Sequence, residues 1–338
     1  MNTHVHFVVP DLFLPAEIAA QVSSGLRLPA LEKFLSRADV EALPQASLED
    51  WLCAEFGLAG QAVAPVTLQA DSLQPGSYFW LRADPVHLRI AHDQLVLQPA
   101  MPVTAEEAGQ MCAALNRHFA DDGLHFVAPD PLRWYLRLER DPHIATTSVA
   151  QVAGKNIHPF LPQGQDGLRW HAILNEIQML LFAHPLNEVR TQRGEWEING
   201  LWLWGGGYAA ASLHCPAGRV CTDSALAAAF AAAAGVVAEA LPDDAKACVA
   251  GGEGETLVVW DGLRFALQCG DLGAWRESLQ RLELGFIQPL LQAVRSGQVE
   301  KVTLDVPCGN SSRRFVLRRR DTWKFWRRLR PLHGHSLM

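Results

Sequence analysis

His184-Pro185-Leu186-Asn187-Glu188-Val189-Arg190 is followed, nine residues after Arg190, by Asn199-Gly200-Leu201-Trp202-Leu203-Trp204-Gly205-Gly206-Gly207. Side chains with nitrogen donors precede an apolar strand that stops in glycines, an arrangement expected where backbone and side chains meet an anionic ligand. Upstream, Leu168 to Ala183 carries apolar residues at 168, 173, 174, 177, 180 and 181, a helical stripe that delivers the His184 motif. Trp196 to Trp204 then reads as a strand, and the glycines as a tight exit or a weak phosphate signal. Further on, Ser224 to Leu241 reads as an Ala-rich helix and Thr256 to Trp260 as a strand. Leu272 to Arg295 reads as a helix interrupted near Pro289, and Val299 to Val306 and Phe315 to Leu317 as the closing strands.

Working toward the amino terminus, Val5-His6-Phe7-Val8-Val9 reads as a buried first strand, with Asp11 near its carboxyl end, where α/β folds place chemistry. Leu28 to Leu35 and Ser47 to Phe56 have helical spacing, and Ser47 with Asp50 resembles an N-terminal cap. The middle of the chain alternates differently. Tyr78 to Leu81 and Val86 to Leu97 read as strands with a turn at Asp93-Gln94. A capped helix opens at Thr104, and strands follow at Phe126, Trp134 to Leu138 and Thr146 to Val152, before a Pro/Gly-rich loop from Pro159 to Gly167. The expectation is a discontinuous α/β core, residues 1–75 and 196–338, carrying an inserted α+β domain, residues 76–195.

At 338 residues, 49% hydrophobic and 19% charged, the chain is long enough for one large core or two modules. A formal net charge of -7 argues against a global nucleic-acid or membrane-surface binder, so nucleic acid is not the expected partner. The longest apolar run, Ala225 to Val237, is too short to span a bilayer, and no membrane role is expected. Seven cysteines without a C-x-x-C pair suggest reduced thiols rather than a disulfide framework or structural zinc, and hence the cytoplasm. The tail departs from this average. Arg318, Arg319, Arg320, Trp323, Lys324, Trp326, Arg327 and Arg328 interleave cations with aromatics, a pattern able to neutralise phosphates and stack on bases or to meet an acidic partner. The competing reading is an edge strand whose arginines pair with local acids and whose tryptophans dock the tail on the core.

The order of these segments resembles that of the archaeal-type cofactor-independent phosphoglycerate mutases of the alkaline-phosphatase superfamily, whose signature reads roughly H-P-x-N-x-x-R and then W-L-W-G-x-G. Phe79-Trp80-Leu81-Arg82-Ala83-Asp84 is similar to that family's F-R-C-N strand, and Thr104-Ala105-Glu106-Glu107-Ala108 to its S-T-E-E-A helix. Leu124-His125-Phe126 through Arg133-Trp134-Tyr135-Leu136 parallels G-V-R-F-Y-P-G-x-x-Y-R-H-L. The chain also resembles a proteobacterial family labelled RpfE-type regulatory proteins. The resemblance implies an alkaline-phosphatase-like core sheet sandwiched by helices with an inserted α+β domain. It also implies that Arg82, His184, Asn187 and Arg190 face a phosphorylated substrate, with helix capping or pairing to Glu188 and Glu195 as the alternative for Asn187 and Arg190.

Active members of that family hold two divalent ions with D-G-x-G, a G-S-D-T-A-H-like nucleophile turn, D-x-x-G-H-D and D-H motifs. Here Asp11 matches the first Asp but is followed by Leu12-Phe13-Leu14-Pro15, and Ser47-Leu48-Glu49-Asp50 falls at the nucleophile turn. Phe265 to Asp271 keeps only Asp271, and Leu304 to Asn310 has neither Asp nor His in register. Histidines at 4, 6, 333 and 335, or Asp261, do not suggest a rebuilt centre. The expectation is therefore a non-catalytic, regulatory or ligand-binding homologue without a cofactor, whose partner is a phosphorylated small metabolite or a protein. The alternatives are an active phosphoglycerate mutase or metal-dependent phosphatase, with Ser47 as nucleophile and Asp11 and Asp271 holding a Mn or a Mg/Zn pair, and an interaction protein with a nucleic-acid-binding tail.

Overall fold

The computed structural model describes residues 3–44, 47–91, 93–99, 102–249, 254–309 and 312–336. Two compact units emerge, one from Met1–Gly57 with Ser212–Met338 and one from Leu58–Ala211. The expected boundaries at 75/76 and 195/196 thus move outward. The reason is packing: the helix Val63–Ala70 lies on the strands Phe79–Ala91 and Gly200–Gly207, which pair with each other, so both flanks belong to the inserted unit.

In chain order the discontinuous unit first contributes β1 (Thr3–Val8) and β2 (Asp39–Ala42). The inserted unit then supplies β3 (Phe79–Ala91), β4 (Gln94–Pro99), β5 (His125–Asp130), β6 (Arg133–Leu138), β7 (Ile144–Ala145), β8 (Gln163–Gly164) and β9 (Gly200–Gly207). The return segment adds β10 (Arg219–Thr222), β11 (Ala238–Glu239), β12 (Gly254–Val259), β13 (Lys301–Val306) and β14 (Arg313–Arg318).

The core sheet runs β11-β10-β12-β1-β13-β14-β2, parallel from β11 to β13 and antiparallel at β14 and β2. Strand alternation sorts its faces. Val5, Phe7, Val302, Leu304 and Val258 join one apolar cluster with Phe34 of the helix Pro29–Arg37, Leu279 of Leu272–Arg281 and Leu290 of Gln288–Ser296. His6 and Asp305 point to the other face, where Trp51 of the helix Leu48–Glu55 meets them. The break expected near Pro289 is a six-residue π-helical segment, Leu282–Ile287, whose Glu283 carboxylate accepts from the Ala30 and Leu31 amides at 2.7 and 2.8 Å. Those are orphan donors at a neighbouring helix start, and a buried acid satisfies them.

In the inserted unit the sheet runs β4-β3-β6-β5, with β9 along β3. The two strands expected between Tyr78 and Leu97 are one long strand plus β4, because β3 continues through Pro85. Among the described residues β6 pairs as far as Arg82 and β4 from Val86, and neither meets Pro85 on that edge, a position where proline is tolerated. Thr146 to Val152 contains the short helix Val149–Val152 rather than a strand. The glycines of β9 lie inside the strand: a Cβ at Gly207 would stand 2.3 Å from that of Ala62, and one at Gly206 2.7 Å from Leu81. They let neighbouring segments approach the sheet closely. All seven cysteines are free, and among the described residues no helix is long and apolar enough to cross a membrane.

Candidate functional site

Parallel strands deliver their carboxyl ends to one edge of the core sheet, and β1 is central among them. The chain leaves β1 through Pro10 and turns at Asp11, which takes a left-handed φ of 59°. Non-glycine residues adopt that conformation with strain of order 1 kcal/mol, and Asp is among those that tolerate it. Asp11 Oδ2 lies 3.4 Å from Nε of Arg264, and the same guanidinium donates through Nη2 to both carboxylate oxygens of Glu49 at 3.0 Å. Burial works against the Arg264 cation, but Glu49, Asp11 and Asp261 outweigh it and raise its pKa. A fixed cation therefore joins two carboxylates at the end of the first strand.

A pair of divalent ions needs several hard anionic ligands, with carboxylates and imidazoles converging on each ion. Here Asp11 and Glu49 are engaged by a guanidinium, and among the described residues no group of three or more His, Cys, Asp or Glu could hold a metal. The residues present do not fit the two-cation centre. Asp271 is exposed and caps the helix Leu272–Arg281 by accepting from the Ala274 amide at 2.9 Å. Ser47 caps Leu48–Glu55: its hydroxyl accepts from the Asp50 amide at 3.1 Å and donates to Asp50 Oδ2 at 2.8 Å. Asn310 lies outside the described residues. Sequence reasoning missed Arg264, which stands in no recognisable motif, and gave Glu49 no role of its own within Ser47-Leu48-Glu49-Asp50.

Beside this cluster, a cleft of about 660 Å³ opens at the ends of β10 and β12. Asp223, Asp243, Asp261 and Glu277 line it against one cation, Arg281. Unneutralised, such walls disfavour a phosphate ester.

On the face below, Asp305 is fully buried and accepts four hydrogen bonds. His6 Nε2 and Trp51 Nε1 reach Oδ2 at 2.8 and 2.7 Å, while Arg314 uses Nε on Oδ1 and Nη2 on Oδ2 at 2.7 and 2.6 Å. Burial alone would raise the Asp305 carboxyl, yet Arg314 and His6 reverse that and hold it below the usual carboxylate range. Arg314 also reaches Glu55 at 2.9 Å, so the network ties the Leu48–Glu55 helix to the sheet. Such a fully bonded carboxylate is a clamp.

The inserted unit places the signature residues as follows. Asn187 and Arg190 lie three apart on the helix Pro185–Gln192, hence on one face. Asn187 Nδ2 donates to the Leu181 and Ile198 carbonyls at 2.8 and 3.0 Å, and its Oδ1 accepts from the Ile198 amide at 2.9 Å. Arg190 is wholly buried: Nε reaches the Trp196 carbonyl at 2.9 Å, and Nη1 reaches Glu107 at 2.9 Å and the Pro102 carbonyl at 3.2 Å. Burial would raise Glu107, but the Thr104 amide, Arg193 and Arg190 bring it below its ordinary value. Both side chains are thus engaged by protein groups. His184 is the helix cap, its Nδ1 accepting from the Leu186 amide at 3.3 Å, and burial lowers its pKa. Arg82 on β3 is buried between the rings of Tyr135 and Trp204, each 5.3 Å away, with Nε and Nη2 on Asp84. Burial pushes the Asp84 carboxyl up despite Arg82 and the Trp204 indole, which donates to it at 2.7 Å.

In the tail, Lys324 pairs with Asp39 and Asp321 at 2.9 and 2.8 Å, and Arg327 donates to Asp39 and to the Ala38 carbonyl. The Arg318 amide donates to Asp321 at 2.9 Å. Arg319, Arg320, Trp323, Trp326 and Arg328 are exposed.

No family model matches the chain. A stretch of 123 residues is 27% identical to the 2,3-bisphosphoglycerate-independent phosphoglycerate mutase of Methanosarcina barkeri, covering 36% of this chain and 31% of that protein. A stretch of 109 residues is 34% identical to the protein of the same name from Methanosarcina acetivorans, covering 32% and 28%. The chain is a distant homologue of these phosphoglycerate mutases. The matched part spans less than a third of those relatives' own length. The structure of PH0037 protein from Pyrococcus horikoshii superposes over 100% of this chain and 98% of its own, with a TM-score of 0.54 at 13% identity, a likeness of fold. The mixed α/β sheet flanked by helices is the fold shared with that structure.

Proposed function

We propose that this phosphoglycerate mutase homologue is non-catalytic and acts as a ligand-binding or regulatory protein. The observation that carries the reading is the Arg264 guanidinium bridging Asp11 and Glu49. A guanidinium neutralises those carboxylates but offers no exchangeable coordination position and no Lewis acidity, so it cannot activate a nucleophile as a bound divalent ion does. The acidic cleft beside it supports the same reading, because a phosphorylated substrate would meet uncompensated negative charge there. Ser47 is held as a helix cap, with its hydroxyl donating to Asp50.

The ligand class proposed remains a phosphorylated small metabolite at the inserted unit. It rests on fewer residues than the motif suggests, since Asn187 and Arg190 are engaged internally while Arg82 keeps Nη1 and His184 keeps Nε2 outside the bonds described above. Free thiols fit a reducing, cytoplasmic setting. Two measurements test the proposal. Interconversion of 2- and 3-phosphoglycerate should be absent with Mn²⁺, and manganese-dependent turnover abolished in Ser47→Ala would overturn the non-catalytic reading. Calorimetric titration with 3-phosphoglycerate should give binding that Arg82→Ala weakens; heat-silent mixing removes the ligand half.

A further inference from the structure

The tail turns its side chains in two directions. Lys324 and Arg327 face inward onto Asp39, Asp321 and backbone carbonyls, while Trp323, Phe325 and Trp326 stand 71, 80 and 67% exposed. The pairs formed by Lys324 and Arg327 hold this conformation, so the aromatic exposure is imposed by the fold. An outward aromatic cluster of this kind marks a binding surface. Phe325 and Trp326 meet edge to face, with ring centroids 5.3 Å apart.

Trp323 also walls a cleft of about 440 Å³ with Arg295, Gln292, Ser296 and Thr322. Cations crowd this place. Arg319 Nη1 lies 3.2 Å from where a Cβ on Gly297 would stand, next to Ser296. Arg37 donates to the Thr322 carbonyl, and its Nε is buried without a hydrogen-bond partner. Burial first, and then mutual repulsion from Arg295, lowers both Lys33 and Arg37, and Arg37 adds to the effect on Lys33. Arg37 and Arg295 each stand in the last turn of a helix, where a cation suits the dipole. That accounts for about half a charge at each end, less than the cations present.

We propose that this surface binds single-stranded nucleic acid, with a base stacked on Trp323 and flanking phosphates held by Arg295 and Arg319. Local charge complementarity overrides the acidic average of the chain, because screening confines each contact to about 8–10 Å. A cleft lined by a tryptophan and an arginine matches a nucleobase with its phosphate, whereas a flat bilayer would leave it unfilled. The exposed rings of Phe325 and Trp326 and the cations Arg320 and Arg328 extend the same chemistry beyond one nucleotide. This surface is independent of the reading proposed for Arg264.

The test is fluorescence anisotropy of the full chain with a labelled oligo-dT and oligo-U of about 12 nucleotides, titrated between about 50 and 200 mM salt. The expected result is binding whose log–log salt slope is about -2, reflecting roughly three phosphates. Trp323→Ala should weaken it about tenfold, and Arg295→Ala should flatten the slope by about 0.7. Both variants should melt with the wild type, as exposed positions allow. Absence of binding, a slope near zero, or preference for anionic vesicles or poly-glutamate would overturn the proposal. Equal affinity for a mononucleotide would assign the cleft to a free nucleotide and overturn the strand.

Discussion

Replacing Arg264 by Met keeps most of the side-chain volume and removes the charge that joins Asp11 to Glu49. The two carboxylates are affected unequally. Glu49 is 7% exposed at its side chain and loses two 3.0 Å bonds, while Asp11, 38% exposed, can turn to water. Breaking a buried pair by removing one partner costs about 3–5 kcal/mol, whereas exposed pairs are worth less than about 1 kcal/mol. The loss should thus sit near the lower end, about 3 kcal/mol, dominated by Glu49. For a unit of this size each kcal/mol moves the melting midpoint by about 2–4 °C, so calorimetry should show a drop of roughly 6–12 °C. The double variant Arg264→Met/Glu49→Gln should recover most of it, because the amide no longer buries an unpaired charge. Millimolar Mn²⁺ should leave the wild-type midpoint in place, since binding to the native state alone would raise it. A loss below about 0.5 kcal/mol, or no recovery in the double variant, would refute the argument that Arg264 is the structural counter-charge of this site.

Arg190→Ala should destabilise the inserted unit by about 3–5 kcal/mol in urea titrations, because it leaves the buried Glu107 carboxylate and the Pro102 and Trp196 carbonyls without this donor; a change under about 1 kcal/mol would restore a ligand role. Asp305 is depressed in the folded state, so its stabilisation is present above the unfolded carboxylate pKa and lost as pH falls through the lower folded value; Asp305→Asn should flatten the acid limb of the stability curve. His335 acts in the same direction in a higher window. Burial, with Arg313 and Arg330, lowers it to about 4, so the unfolded chain takes up a proton first and stability declines as pH falls from about 6.5 toward 4. His335→Phe should remove that component of the pH dependence, read as the urea midpoint at several pH values.

Much of the α/β alternation was legible in the chain because hydrophobic period and capping chemistry are local. The box at Thr104 with Glu107, the cap at Ser47 with Asp50 and the buried first strand all form as the residues imply. The strand through Pro85 was not legible, since whether a strand tolerates proline depends on the pairing of distant segments along its edges. The same holds for β10 and β2, short strands whose pairing comes from distant segments.

The chain alone carried much of the strand and helix alternation, the departures from the two-ion motifs and the position of the His184 signature. Tertiary structure decided what those residues touch. Asn187 and Arg190 carry the chemistry of an anion site, yet their hydrogen bonds close on backbone and Glu107, because helix and loop meet only after folding. Arg264 carries no motif at all, and only the convergence of β1, β12 and the Leu48–Glu55 helix sets it between two acids. Hydrogen-bond partners and counter-charges are long-range properties, and no local pattern encodes them.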